Sequence, residues 1–192
     1  MTFDRGVSGF VSAAWMTFLA YWAVMAFSVK RTARRQNLRG RFFHVLIGAI
    51  ASFLLVGSSR RWGGLAIRFV PRAAGFAIAG ALLAWIGIGL AIWARTILGR
   101  NWSATPTVKV DHALIRSGPY SVVRHPIYSG LLVAGLGTAL AIGEARCLLA
   151  VAIMFIGWLW KSRTEEQLMI EQFGHEYEDY RRHTWALVPF VV

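Results

Sequence analysis

The residues best suited to chemistry lie in one short stretch, Ser117–Gly130, which places an Arg-His-Pro sequence between two tyrosines. Pro126 suits the first turn of a helix, where its missing N–H costs no hydrogen bond, so His125 is expected at or near the helix N-cap. Free N–H groups and the positive end of the helix dipole attract carboxylates there, and Arg124 adds donors. The stretch therefore predicts an anion-binding helix start. Basic residues that only anchor a helix end at a membrane surface would show the same pattern.

A second polar stretch follows the last apolar span of the chain. Lys161 and Glu165 are four residues apart and share one face of a predicted helix, whereas the adjacent Glu166 is expected to point to water. Acidic residues are scarce, only nine in all, so two neighbours just beyond a membrane span favour a functional role. The alternative is an exposed Lys–Glu pair, which contributes only a few tenths of a kcal/mol. Further along, Gly174 predicts a helix break, followed by a second, amphipathic helix lying at the membrane.

The elements that must position these residues are membrane helices. The chain has 192 residues, 56% of them hydrophobic, and its mean hydropathy is positive, which is too apolar for a soluble domain of this size. The net charge of +12 fits basic cytoplasmic loops better than a nucleic-acid partner, because no basic stripe with interleaved aromatics lies outside the apolar spans. The single cysteine, Cys147, excludes an intrachain disulfide and a Cys-based zinc site, and no metal site is predicted.

The hydropathy pattern predicts an all-α integral membrane protein of about five transmembrane helices, with a cytosolic loop and a C-terminal helical tail. If the N-terminus is outside, 15 of the 21 Lys and Arg residues fall in the inner segments, as the positive-inside rule favours. We divide the chain into residues 1–94, with three helices, and a catalytic half, residues 95–192. The predicted spans are Phe10–Val29, Phe42–Gly57, Ala73–Ala94, Pro126–Gly143 and Cys147–Trp160.

Small residues four apart recur in the third to fifth spans and predict close helix packing. The very short link between the fourth and fifth spans predicts a tight antiparallel hairpin. Two Gly-x-Gly sequences inside apolar spans are interpreted as packing sites, not as dinucleotide-binding turns, since no strand precedes either. The small pairs are Gly75 with Ala79, Gly80 with Ala84, and Gly130 with Ala134.

Several short motifs occur in a fixed order over Leu98–Phe190: His-x-Leu-Ile, Gly-Pro-Tyr, Arg-His-Pro-x-Tyr, Glu-Glu-x-x-Leu, Phe-Gly-x-x-Tyr-x-x-Tyr and Leu-Val-Pro-Phe. The ordered set resembles the isoprenylcysteine carboxyl methyltransferase family, integral membrane enzymes that use S-adenosyl-L-methionine. The segment Gly99–Trp102 resembles the bacterial branch of this family. The resemblance therefore implies a protein of the bacterial inner membrane, and the bias of Lys and Arg predicts that the N-terminus is outside and the C-terminus cytoplasmic.

The resemblance also implies a cofactor pocket on the cytosolic side, closed by the loop and the C-terminal helical tail, and it implies which residues hold the cofactor and the substrate. Glu165 would bind the cofactor's ammonium group. An arginine that meets the substrate in the family falls at Lys161 here, and lysine lacks the planar fork that clamps a carboxylate, so Arg163 is a second candidate. The implied catalytic residues are thus Glu165, Lys161 and Arg163, and the implied cofactor-binding residues are His112, Ala113, Leu114, Ile115, Tyr120, His125, Pro126, Ile127, Tyr128 and Glu165.

The expected function is methyl transfer from S-adenosyl-L-methionine to a lipid-linked small molecule that enters from the bilayer, above all the carboxylate of an isoprenylcysteine-like substrate. One alternative is N-methylation of a phospholipid amine, for which Glu165 or Glu166 would serve as a base. A second is a sterol-type reductase that uses NADPH, since such reductases resemble the family in the C-terminal half. A third is a membrane protein without catalytic activity. The sequence predicts no oligomeric state.

Overall fold

The computed structural model describes residues 2–26, 32–35, 38–56, 62–99, 102, 107–109 and 114–191. Six α-helices, two short strands and two 3-10 helices, Gly63–Ala66 and Gly118–Ser121, occur in this part of the chain. The strands are β1 (Thr32–Arg35) and β2 (Thr107–Lys109). The helices are α1 (Thr2–Met25), α2 (Leu38–Val56), α3 (Ala74–Leu98), α4 (Pro126–Ile142), α5 (Ala145–Phe173) and α6 (His175–Arg182).

All five predicted apolar spans form helices, and the prediction of a helical integral membrane protein is confirmed. Within the described residues, α1, α3 and α5 contain segments long and apolar enough to cross a membrane, and α2 and α4 contribute shorter apolar segments. The fifth helix is longer than its predicted span because it continues beyond Trp160 to Phe173. This extension carries the second polar stretch into the space next to the start of α4.

The antiparallel pair α3 and α4 forms the centre of the bundle, and glycines set how close the two helices come. Gly80 faces Gly137, and one heptad further along α3 Gly87 faces Gly130. A Cβ added at Gly87 would lie 2.3 Å from the backbone nitrogen of Ala134. Only glycine lets the two backbones approach this closely, as is typical of helix pairs in lipid.

Not all of the predicted small residues contribute to this contact. The pairs Gly80–Ala84 and Gly130–Ala134 lie in the α3–α4 interface, as predicted, whereas Gly75 and Ala79 are exposed. The first Gly-x-Gly sequence likewise divides, because Gly87 packs against α4 but a Cβ at Gly89 would meet no atom within 4 Å. The face of α3 that carries Gly87 is therefore packed against α4, whereas the face that carries Gly89 is not.

The predicted hairpin between α4 and α5 is confirmed. The turn residue Gly143 has φ +75°, a left-handed conformation that glycine adopts without strain. Arg68 donates from Nη1 to the carbonyl of Ile142 at 2.8 Å. An arginine counted among the outer basic residues therefore caps the negative end of α4.

Arg146, another outer basic residue of the predicted topology, is buried in the same way. It donates to the carbonyl of Leu55 at 3.2 Å, near the end of α2, and forms an ion pair with Glu144 at 2.6 Å. The positive charge is thus neutralised by a helix terminus and by a carboxylate. Contacts with helix ends thus account for two of the six outer basic residues, Arg68 and Arg146.

A small antiparallel sheet of β1 and β2 covers the opposite end of the bundle, and the sequence analysis did not predict it. Thr32 lies opposite Lys109, and Arg35 lies opposite Thr107. Because β1 follows α1 and β2 follows α3, the sheet lies at the end where α4 begins, and β2 contacts α5. The sheet is therefore on the same side as both polar stretches.

The C-terminal tail packs against the loop that leads into α4. The predicted helix break is confirmed at Gly174, which has φ +53° and separates α5 from α6. The Tyr180 hydroxyl donates to the carbonyl of Tyr120 at 2.6 Å. Beyond α6, the carbonyl of Trp185 accepts from the backbone N–H of Arg124 at 2.8 Å. The loop and the tail consequently form one unit at one end of the bundle.

Candidate functional site

The side chains that the sequence singled out meet where α4 begins and α5 leaves its apolar part. His125 is the N-cap of α4 and Pro126 is its first residue, as the sequence predicts. The extension of α5 passes beside this helix start and brings its acidic residues to His125. We call the group Arg124, His125, Tyr128, Lys161, Glu165 and Glu166 the polar cluster.

The imidazole of His125 lies between two carboxylates. Its Nδ1 is 3.4 Å from Oε2 of Glu165 and its Nε2 is 3.3 Å from Oε1 of Glu166. Burial acts to lower the pKa of His125, but the contacts with the two carboxylates outweigh it and raise the pKa above 6.5. The two carboxylates therefore favour the protonated, cationic form of the ring at the helix start.

Glu165 is bound on three sides by residues of the cluster. The Tyr128 hydroxyl donates to its Oε1 at 2.8 Å, and Nζ of Lys161 is 4.0 Å from the same oxygen. Burial favours the neutral carboxyl, yet the bonds to His125 and Tyr128 and the charge of Lys161 lower the pKa of Glu165. The predicted shared face of Lys161 and Glu165 is thus observed, and it points into the cluster.

The expectation that Glu166 points to water is wrong. Its side chain is only 9% exposed, and its Oε1 accepts from Nε of Arg124 at 2.8 Å. Arg181 of α6 approaches Oε2 at 3.5 Å. Burial acts to raise the pKa of Glu166, but His125 and Arg124 lower it to about 2. The face that would have been solvated is covered because the tail folds back over α5, a long-range contact that helix periodicity alone does not reveal.

Arg124 joins the polar cluster to the C-terminal tail. Besides Glu166, its guanidinium donates to the carbonyl of Arg181 at 3.1 Å and to the carbonyl of Thr184. The position of Arg124 before α4 suggested that it binds a ligand. Its N–H groups instead bind carbonyls of the tail. Sequence reasoning missed this role because the two segments are nearly sixty residues apart.

An apolar wall adjoins the polar cluster. Tyr120 and Ile127 belong to one buried group of side chains, against which Ile115 and Trp158 pack. The rings of His125, Tyr128 and Trp158 are stacked in series, with centroids 5.6 Å and 5.7 Å apart. Leu114 is partly buried just before Ile115, whereas His112 and Ala113 lie outside the described residues.

The two candidate cations of α5 occupy different faces. Lys161 is 13% exposed and places Nζ 5.2 Å from the centroid of the Tyr128 ring. The side chain of Arg163, two residues on, is exposed and lies on the opposite side of the helix. Lys161, and not Arg163, therefore belongs to the polar cluster.

The charge of the site can be counted from its ion pairs. Among the side chains that the structure describes, four basic residues surround the two carboxylates of Glu165 and Glu166; they are Arg124, His125, Lys161 and Arg181. The excess positive charge favours an anionic ligand. Both carboxylates have lowered pKa values, so neither is suited to accept a proton near neutral pH.

The raised pKa of His125 predicts a pH-dependent stability. A cation whose pKa is raised on folding contributes fully below about 6.5, and the contribution is lost as the pH rises through the folded-state value. The thermal unfolding temperature of the purified protein should fall as the pH rises above about 6.5, and His125→Gln should reduce this dependence. His183, which is 73% exposed, provides the control His183→Gln. Equal pH dependence in all three proteins would contradict the imidazolium assignment.

Comparison with known proteins identifies the family. The family model described as "PEMT: Phospholipid methyltransferase" matches residues 76–176, which is more than half of the chain and includes the whole polar cluster. The chain belongs to the phospholipid methyltransferase family. The polar cluster of this family member lies at the start of α4 and on α5, and both parts are inside the matched region.

Individual relatives refine the comparison. This family member is 34% identical over 86 residues to the protein-S-isoprenylcysteine O-methyltransferase of Schizosaccharomyces pombe, which covers 42% of the chain and 35% of the relative. It is 30% identical over 116 residues to a probable protein-S-isoprenylcysteine O-methyltransferase of Oryza sativa subsp. japonica, covering 57% and 60%. The chain thus spans between about one third and three fifths of these relatives' length. The predicted resemblance to isoprenylcysteine methyltransferases is confirmed, and that to a bacterial branch stays a prediction.

The fold is shared with a solved structure. The eukaryotic intramembrane Ras methyltransferase ICMT (isoprenylcysteine carboxyl methyltransferase) superposes with a TM-score of 0.56 at 21% identity, covering 81% of this chain and 55% of that one. At this identity the likeness concerns the fold. The helical arrangement that brings α4 and α5 together is therefore found in an intramembrane enzyme.

Proposed function

We propose that this chain transfers a methyl group from S-adenosyl-L-methionine to the carboxylate of a lipid-linked, isoprenylcysteine-like acceptor. The observation that carries the proposal is the polar cluster itself, in which Glu165 binds His125 and Tyr128 at the boundary between the apolar and polar parts of α5. The names of the relatives support the reaction type. The family match favours a methyltransferase over the alternative of a reductase.

The chemistry of the donor set fits the proposed cofactor. When bound, S-adenosyl-L-methionine supplies an electrophilic methyl group. Glu165 would bind its ammonium group, and His125 would bind its carboxylate at the α4 start. The adenosyl part would lie against the apolar wall of Leu114, Ile115, Tyr120, Pro126, Ile127 and Tyr128, and we propose that His112 and Ala113 continue this wall.

Lys161 is the residue we assign to the acceptor. It lies one turn nearer to the apolar part of α5 than Glu165 does, so it is the cation of the cluster that an acceptor arriving from the bilayer meets first. Its ammonium would attract the acceptor's carboxylate and hold it beside the cofactor site. Positioning of this kind is the main requirement of an in-line displacement. Arg163 remains an alternative only if α5 rotates.

The pKa values favour a carboxylate acceptor over a phospholipid amine. An ammonium group must lose its proton before it can attack, which calls for a nearby base. Glu165 and Glu166 both have lowered pKa values and are poor bases. A carboxylate needs no such help, because it is already deprotonated near neutral pH.

A transfer assay distinguishes these acceptors. Purified protein is incubated with methyl-labelled S-adenosyl-L-methionine and one of three acceptors: N-acetyl-S-farnesylcysteine, its carboxamide, or vesicles of phosphatidylethanolamine. We expect label in the farnesylcysteine only, and we expect alkali to release it as methanol, because esters hydrolyse and methylated amines do not. Alkali-stable label in the phospholipid would support amine methylation and contradict our proposal.

We further propose that the two polar parts of the catalytic half, residues 95–124 and the tail after Trp160, face the cytoplasm of a bacterial inner membrane, with the N-terminus outside. The 15 inner basic residues support this orientation, and two outer ones, Arg68 and Arg146, are bound to helix ends. His175→Cys places a thiol at an exposed position. Protection from an impermeant thiol reagent in intact cells is expected, and labelling there would contradict this orientation.

A further inference from the structure

Arg95 is a buried cation that lies outside the polar cluster. It is fully buried, with 0% exposure, near the C-terminal end of α3. Its Nη1 donates to the carbonyl of Gly99 at 2.6 Å and its Nη2 to the carbonyl of Met25 at 3.1 Å. The ring of Trp102 covers the guanidinium, 4.6 Å from ring centroid to Cζ. The ends of α1 and α3 thus fix the orientation of this side chain.

The charge of Arg95 has no carboxylate partner among the acidic side chains that the structure describes. Its Nε, moreover, is buried without a hydrogen-bond acceptor. A guanidinium has five N–H donors, and helix-end carbonyls accept from only two of its three nitrogens. An unpaired charge in a membrane helix is costly, and such residues commonly bind a ligand or take part in the chemistry.

Arg146 shows how this chain treats a buried arginine with a purely structural role. Like Arg95, it is buried and donates to carbonyls at the end of a neighbouring helix. Unlike Arg95, it has a carboxylate, Glu144, at 2.6 Å. Arg95 thus differs from Arg146 in one respect: it has no anionic partner among the described side chains.

Tyr120 places Arg95 next to the polar cluster. The Tyr120 hydroxyl donates at 3.4 Å to the carbonyl of Ala94, the residue before Arg95. Tyr120 also interacts electrostatically with both Arg95 and Glu165. Tyr120 therefore contacts the end of α3 next to Arg95 and lies within electrostatic range of Glu165.

We propose that Arg95 binds the carboxylate of the methyl acceptor, so that the acceptor supplies the missing anion. The inference rests on the proposed function, since it concerns the same site. Lys161 is a point charge, whereas a guanidinium offers a planar fork that matches the two oxygens of a carboxylate. Trp102 covers one planar face of the guanidinium, and the Nε edge is the part that still needs an acceptor. Arg95 thus supplies the fork that Lys161 lacks.

The test compares an acid with its neutral analogue. Binding of N-acetyl-S-farnesylcysteine and of its carboxamide is measured by calorimetry on the full chain and on Arg95→Gln and Arg95→Lys. We expect the unchanged protein to prefer the acid by about tenfold or more, and Arg95→Gln to remove most of that preference. Arg95→Lys should retain part of it, because the charge remains and the fork is lost. Arg146→Gln, the matched control, should lower the unfolding temperature and keep the preference.

The outcomes separate this inference from the proposed function. If the unchanged protein binds acid and carboxamide equally, the proposed carboxylate acceptor is wrong. If it prefers the acid and the Arg95 variants prefer it equally, or lose affinity for both probes alike, Arg95 only caps helix ends and the inference is overturned. If Arg95→Gln fails to fold, the ratio of the affinities for acid and carboxamide is measured on Arg95→Lys instead. A ratio below that of the unchanged protein supports the inference, and an equal ratio overturns it.

Discussion

Replacement of Glu165 by Gln is expected to abolish nearly all methyl transfer. Gln keeps the shape of the side chain but removes the charge that pairs with His125 and Lys161. The cofactor's ammonium group would lose its partner in a partly dehydrated site, which weakens binding about tenfold to a hundredfold. The measurement is calorimetric titration with S-adenosyl-L-methionine, accompanied by the transfer assay on the same preparation.

Glu166→Gln is the matched control, and the structure assigns it a different effect. Glu166 binds Arg124 and Arg181 and so connects α5 to the tail. Its loss leaves Arg124 buried without a carboxylate, which costs about 3 kcal/mol of stability. We expect a lower unfolding temperature with a smaller change in cofactor affinity. A stable Glu166→Gln protein without cofactor binding, beside an active Glu165→Gln protein, would reverse the two roles and contradict the site.

Gly87→Ala is expected to have the largest effect on folding. The added Cβ would lie 2.3 Å from the nitrogen of Ala134 and 2.4 Å from the carbonyl oxygen of Gly130, and backbone atoms cannot move aside as a side chain can. The α3–α4 pair must separate, at a cost of about 3 kcal/mol. Thermal unfolding and the yield of monodisperse protein in detergent measure this effect.

Gly89→Ala provides the control on the same helix. A Cβ there meets no atom within 4 Å, and alanine is the better helix former, so the unfolding temperature should stay the same or rise slightly. If Gly87→Ala and Gly89→Ala behaved alike, the close contact between α3 and α4 would not exist. Because the start of α4 carries His125, the loss of this contact should also lower cofactor binding.

Local patterns predicted the helices of this fold and part of its packing. Apolar runs marked the five spans, Pro126 marked the start of α4, and Gly174 marked the break before α6. These features depend on neighbouring residues, which the sequence displays directly. The β1–β2 sheet was not predicted because its strands are three and four residues long and are far apart in the sequence, so no local periodicity identifies the pairing.

The sequence predicted only part of the site, because only part of it depends on residues that are neighbours in the sequence. Helix periodicity placed Lys161 and Glu165 on one face, and both lie in the polar cluster. Periodicity alone did not show that Arg181 and the tail cover the other face, so the burial of Glu166 was missed. Nor did charge counting show that Arg95 lies buried without an acidic partner among the described side chains. The sequence nevertheless contains a signal for both Glu166 and Arg95, since each charge within or beside an apolar span needs a partner.

The measurement that tests the central claim most directly is calorimetric titration of the purified protein with S-adenosyl-L-methionine and, separately, with NADPH. Our account predicts saturable binding of S-adenosyl-L-methionine at one site, a strong loss of this binding in both His125→Ala and Glu165→Gln, and no binding of NADPH. Saturable binding of NADPH, or binding of S-adenosyl-L-methionine that both variants retain unchanged, would contradict the assignment of the polar cluster as a methyl-transfer site.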